Sequence, residues 1–237
     1  MQPGGMRRSD LILERWGFLT ETPGVPLRKV QVGKRRLPGI LALPDDPPGL
    51  VVFALGAGSS RLSPHNRCLQ RALAAYGFAV LLFDLLEEEE ANDLAAVFDV
   101  AKLAGRIVEA IEWIGGQRDL ERLPLGVFSA RTGTAAALLV SALLPEAIGA
   151  HVARRGRPDL VRAILPQVKA PTLFLLGTKD SVTKRRYEKS VTIMNCVNTV
   201  REIDYLNSLS EDGKFVSCLV EVADRWFSRY LCAKLLG

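Results

Sequence analysis

Apolar residues along this chain gather in short runs of strand length, separated by stretches where they recur at helical spacing. The runs are Leu50–Leu55, Ala79–Phe83, Leu125–Phe128, Ile148–Val152, Thr172–Leu176 and Thr199–Ile203. Most show no polar alternation, as expected for strands covered on both faces. Helical patterns fall between them over Asn66–Tyr76, Val97–Ile114, Thr134–Leu144, Pro158–Leu165 and Lys184–Met194, with a last helix over Phe215–Leu235. Gly77, Gly115-Gly116 and Pro145 punctuate the ends. Strand and helix thus alternate, which predicts an α/β fold: a mostly parallel sheet with helices on both faces. Ahead of it, Arg28–Val32 and Leu37–Leu43 flank Gly33-Lys34-Arg35-Arg36 and predict an antiparallel hairpin. Residues 27–237 are expected to form one domain without a cap domain, preceded by an arm over 1–26.

Composition narrows the function classes. A chain of 237 residues with 48% hydrophobic content suits one α/β domain. No window approaches the roughly 18 apolar residues of a membrane span, and the start M-Q-P-G-G-M-R-R lacks a secretory apolar core. A cytoplasmic protein with no membrane partner is expected. Cys68, Cys196, Cys218 and Cys232 lie far apart, and His65 and His151 are the only histidines, so neither a zinc site nor a disulfide framework is expected. The net charge of +5 comes from scattered basic clusters without interleaved aromatics, which argues against a nucleic-acid partner. The opposite run, Glu87–Glu90, reads as a loop or a helix start.

Two glycine turns carry candidate chemistry. Leu50–Leu55 runs into Gly56-Ala57-Gly58-Ser59-Ser60-Arg61, and the next strand ends at Asp84, where a dinucleotide-binding unit would hold its ribose. Against this, the third fingerprint position is Arg61 rather than Gly or Ala, and two strands precede the unit. No cofactor is expected. The second turn lies in Pro124–Leu139, an apolar strand, a small-residue turn and an alanine-rich helix. This is the setting of a nucleophile elbow, G-x-S-x-G, but the turn reads Ser129-Ala130-Arg131-Thr132-Gly133. Arginine has no nucleophilic atom and stays protonated, so it cannot attack a carbonyl.

Several blocks in order extend the comparison. The segment V-V-F-A-L-G-A-G-S-S-R-L-S-P-H-N-R (51–67), L-L-F-D-L-L (81–86), the altered elbow, R-R-G-R-P-D-L (154–160) and A-P-T-L-F-L-L-G-T-K-D (170–180) resemble small α/β-hydrolases of the dienelactone hydrolase type. The resemblance implies an α/β-hydrolase fold and assigns Asp180 the place of the triad acid, which normally orients a histidine. It puts Ser208 at the histidine position and Leu55 in place of the histidine of the oxyanion loop, where Gly56, Ala57 and Gly58 keep the turn. Nucleophile and base are therefore both substituted.

The remaining candidates weigh against a replacement triad. Ser129 and Thr132 flank an elbow that projects only its central side chain, and His65 and His151 read as structural residues. Arg131, at a helix N-terminus, instead suits an anion, with Gly56, Ala57, Gly58, Arg61, Thr132 and Arg157 as further ligand-binding candidates and Arg154 in the same family-like segment. A salt bridge between Arg131 and Asp180 is expected to replace the lost histidine contact. The expected role is a pseudohydrolase that binds a small anionic ligand or a protein partner, with homo-oligomerisation open. The alternatives are an active hydrolase of esters or lactones with a different site, and a structural subunit beside an active relative.

Overall fold

The computed structural model describes residues 25–56, 59–204 and 213–232. Its strands are β1 (Leu27–Val32), β2 (Leu37–Ala42), β3 (Leu50–Leu55), β4 (Ala79–Phe83), β5 (Leu125–Ala130), β6 (Ala150–Arg154), β7 (Thr172–Gly177) and β8 (Asn198–Ile203). They form one sheet in the order β1-β2-β4-β3-β5-β6-β7-β8. The first two pairings, β1 with β2 and β2 with β4, are antiparallel, and those from β4 to β8 are parallel. This order is that of an α/β-hydrolase-like sheet, not of a doubly wound dinucleotide fold, whose first strand is central.

The apolar runs explain the layering. All six residues of β3, of β5 and of β7 are buried, so these central strands are covered on both faces. On one face, helices α1 (Pro64–Ala75) and α7 (Gly213–Leu231) enclose Phe53, Phe78, Phe128 and Phe227, with Phe53 and Phe128 stacked at 4.9 Å between centroids. The other face carries α4 (Val100–Gly115), α5 (Thr132–Leu143), a 3-10 helix (Pro158–Gln167) and α6 (Ser181–Val191). Two short helices, α2 (Glu88–Ala91) and α3 (Leu94–Phe98), precede α4.

Several element bounds shift by two or three residues from the sequence expectation, and four departures change the reading. The helix expected over Val97–Ile114 is broken at Asp99, whose carboxylate accepts from the Lys102 N–H at 2.9 Å and caps α4. The strand before the elbow runs on to Ala130, and α5 starts at Thr132 rather than Thr134. Strand β6 extends to Arg154, two residues past the expected end, and so delivers that arginine to the sheet edge. The helix expected over Pro158–Leu165 is a 3-10 segment over Pro158–Gln167, kinked at Val161.

Helix α5 sits unusually close to the end of β3. A Cβ on Gly133 would collide with the Ala54 carbonyl oxygen and lie 2.9 Å from the Gly56 nitrogen. The expected outcome for Gly133→Ala is therefore a loss of about 1–3 kcal/mol through overpacking, despite alanine's better helix propensity. Gly105→Ala, in an open position of α4 with nothing within 4 Å, should instead gain about 0.5–1 kcal/mol. Thermal unfolding of the two variants beside the parent checks the sign of each.

Candidate functional site

At the turn between β5 and α5, Arg131 has φ 56° and ψ −128°. An L-residue enters this region only when the surroundings hold it there. Two backbone bonds do so: the Thr134 N–H donates to the Arg131 carbonyl at 3.2 Å and the Arg157 N–H donates to it at 3.1 Å. Ala130 and Thr132 are buried while Arg131 is exposed, so the strained turn lifts one side chain out of the sheet edge. Beside it, the Thr132 hydroxyl is buried and has no hydrogen-bond partner among the described residues. Thr132 and Gly133 crowd so closely on Gly56 that no Cβ fits there.

The segment after β6 folds onto this turn. Arg155 takes φ 49° and donates its N–H to the Leu175 carbonyl at 3.1 Å, and Gly156 presses against the Thr134 side chain with no room for a Cβ. The Gly156 N–H donates to the Tyr187 hydroxyl, whose burial holds the phenol well above its ordinary pKa. Arg154 and Arg155 are thereby gathered beside Arg131. Burial, followed by the like charges of Arg155 and Arg131, lowers the Arg154 guanidinium to about 10, still protonated at neutral pH. Arg154 Nη1 stands 2.6 Å from His65 Nε2 on the first turn of α1. Since arginine only donates, His65 Nε2 must accept and the imidazole is neutral. Burial and the Arg154 charge lower its pKa to about 4.

Asp180 caps α6. Its carboxylate accepts from the Thr183 N–H at 3.0 Å and from the Thr183 hydroxyl at 2.8 Å, and it pairs with Arg155 Nε at 3.4 Å. Burial alone would raise its pKa, but the Thr183 hydrogen bonds and Arg155 together bring it below the ordinary carboxylate range. The expected partner, Arg131, is therefore displaced: Arg155, one residue beyond β6 and in the left-handed region, reaches the carboxylate from the neighbouring strand end.

Other candidate residues are already engaged. The Arg61 guanidinium pairs with Asp84, which also accepts the Arg61 N–H at 2.6 Å, so the would-be ribose acid closes its own loop. Arg157 pairs with Asp159 at 2.9 Å. Ser129 and His151 lie behind the elbow, where Ser129 Oγ is 2.7 Å from His151 Nε2 and 2.9 Å from Thr134 Oγ1. Both are fully buried, so no substrate reaches this pair. Ala57, Gly58 and Ser208 lie outside the described residues. Among the described residues no cluster of His, Cys, Asp or Glu could hold a metal, and no helix is long and apolar enough to cross a membrane. Sequence reasoning passed over Arg155 and the contact between His65 and Arg154. The R-R-G-R run was the available signal, but only the fold shows that it caps the elbow.

Solved structures resemble this chain along nearly its whole length. Dienelactone hydrolase from Anabaena variabilis is 36% identical, with a TM-score of 0.77, covering 89% of this chain and 100% of the other. An esterase from Pyrococcus furiosus has a TM-score of 0.68 at 16% identity, covering 90% of this chain and 96% of its own. A dienelactone hydrolase-like promiscuous phosphotriesterase from metagenomic libraries has a TM-score of 0.65 at 18% identity, covering 87% and 99%. At such identities these two show the fold alone. Among curated proteins, one from two strains of Mycobacterium tuberculosis, provisionally named a phosphoribosyl transferase, is 39% identical over 222 residues. The match takes in 91% of this chain and 50% of that protein, so the chain spans about half the length of the curated relatives it matches. No protein-family model matches.

The buried histidine gives the fold an acid sensitivity with a definite sign. Burial depresses the His151 pKa from 6.5 to about 3, so the unfolded chain takes up a proton before the folded one does. Its contribution is intact above the unfolded pKa and declines as pH falls toward the folded one. Between about pH 7 and about pH 4.5 the parent should lose about 2–3 kcal/mol from this residue, with His65 acting in the same direction. Urea unfolding across that range should show a shallower pH dependence for His151→Asn than for the parent.

Proposed function

This chain belongs to the dienelactone hydrolase-like branch of the α/β-hydrolase superfamily, and we propose that it binds a small anion at its elbow without serine-type hydrolysis. The observation that carries this reading is Arg131 at φ 56°, ψ −128°, a strained turn kept where its usual nucleophile is absent. Strain of this kind costs on the order of 1–3 kcal/mol, which a turn serving only to connect β5 with α5 need not incur. A guanidinium held there, at the amino end of a 12-residue helix, meets an anion with its own charge and with the N–H groups of the first turn.

The chemistry of the neighbours supports binding over turnover. A serine mechanism needs a base within hydrogen-bond reach of its nucleophile. Of the two histidines, His65 accepts from Arg154 and His151 is buried behind the sheet edge with Ser129. Asp180, at the acid position, is committed to Thr183 and Arg155. The name of the mycobacterial relative, which points to a phosphoribosyl compound, is in keeping with an anionic ligand. A second reading, a non-catalytic companion to other machinery, draws on the length of that relative, half of which lies outside the match.

Purified protein should show no labelling by a fluorophosphonate probe and no hydrolysis of p-nitrophenyl acetate above the rate of heat-denatured protein. Stoichiometric labelling at any serine sinks the reading. Arg131→Ser should be equally inert, because a serine with no base beside it is an ordinary alcohol. Small anions at constant ionic strength should raise the Tm of the parent, by about 2.7 kcal/mol of stabilisation at a hundred times Kd. The rise should vanish in Arg131→Ala, and its persistence there would place the anion elsewhere.

A further inference from the structure

The charge balance at the elbow narrows what it binds. Arg131 is exposed and has no carboxylate partner among the described residues, while the local carboxylate, Asp180, pairs with Arg155. Arg154 contributes a second uncompensated charge: its Nη1 contacts a neutral imidazole, and its Nε is buried without a hydrogen-bond partner among the described residues. The Thr132 hydroxyl, also buried and unpartnered there, begins the first turn of α5. Two guanidiniums without a carboxylate partner among the described residues, one of them largely desolvated, are poorly matched by a carboxylate, which carries a single charge and one edge for a guanidinium fork. A phosphate dianion presents two charges and three oxygens in a tetrahedral array.

The rim adds a second feature. Leu62, Leu94, Phe98, Leu160 and Val182 are between 38% and 75% exposed. They lie on the segments that follow β3, β4, β6 and β7, all of which leave the parallel sheet at the edge that carries the elbow. Large exposed apolar side chains on segments that leave the sheet at the same edge as the arginines favour a ligand with an organic body behind its charge.

We propose that the site takes a phosphomonoester in its dianionic form, with the phosphate between Arg131 and Arg154 at the amino end of α5 and the ester substituent against the apolar rim. This deepens the reading of the elbow as an anion site and rests on it. Arg155 acts one step away, holding Asp180 off the ligand. His65 is a positioning residue that keeps the Arg154 guanidinium in place through an acceptor without charge.

The test is isothermal titration of the full chain at about pH 7.5, where a phosphomonoester with second pKa of about 6 is mostly dianionic. Phenyl phosphate, benzoate and inorganic phosphate are compared. Phenyl phosphate should bind at least about tenfold tighter than benzoate and several-fold tighter than inorganic phosphate. Arg154→Gln should remove most of the preference for phenyl phosphate over benzoate, and Arg154→Lys should restore part of it. Benzoate binding as tightly as phenyl phosphate overturns the dianion assignment while leaving an anion site in place. Inorganic phosphate binding as tightly as phenyl phosphate overturns the ester assignment. If none of the three binds, the anion reading falls as well. The parent comparisons decide these outcomes even if the Arg154 variants fold poorly.

Discussion

The arrangement at the sheet edge depends on one backbone residue held in the left-handed region. Arg131 occupies that conformation because its carbonyl receives two N–H groups, one from its own helix and one from the segment after the neighbouring strand. The second bond ties β5 to the loop that follows β6. Arg154 is already set beside the elbow by its ladder pairing with Ala130, and the second bond extends that hold to the loop beyond it, where Gly156 packs on Thr134. The same turn brings Gly133 against Ala54 and Gly56, so that the first turn of α5 abuts the end of β3. Three strand ends are thus coupled through contacts too close to admit a methyl group, and a close-packed region of this kind has few alternative arrangements.

Electrostatics then separates the arginines into two kinds. Arg61, Arg155 and Arg157 each face a carboxylate, from Asp84, Asp180 and Asp159, and serve to close loops. Such partly exposed pairs contribute modestly to stability, but they fix geometry. Arg131 and Arg154 lack that neutralisation among the described residues: burial and then the Arg154 charge lower His65, and burial and then the charges of Arg155 and Arg131 lower Arg154. The largely buried charge of Arg154 carries a desolvation cost that the exposed charge of Arg131 does not.

Much of this architecture was legible in the sequence because its signals are local. The continuous apolar runs of β3, β5 and β7 gave away a doubly covered sheet, and the strand, small-residue turn and alanine-rich helix around Arg131 located the elbow. Less legible was anything that depends on which strand ends are neighbours. Arg131 and Arg155 compete for Asp180, and only the order β5-β6-β7 lets the nearer strand supply the winner. The contact between His65 and Arg154 joins residues 89 positions apart, for which sequence spacing offers no cue. Asp99 shows a different difficulty: helical periodicity continues through it, yet its carboxylate accepts from the Lys102 N–H in the next helix's first turn and a break results.

The open sheet also has two ends, and their composition bears on how the molecule meets copies of itself. Strands β1 and β8 terminate the order, each with a pairing partner on one side only among the described residues. An unpaired strand edge is a template for intermolecular strand addition. Here β1 exposes Arg28 and Lys29, and β8 exposes Arg201 and Glu202. A second chain aligning along either edge would have to bury or crowd these charges, which disfavours polymerisation through the backbone. Association through the helices that cover the faces of the sheet would instead leave these edge charges in water.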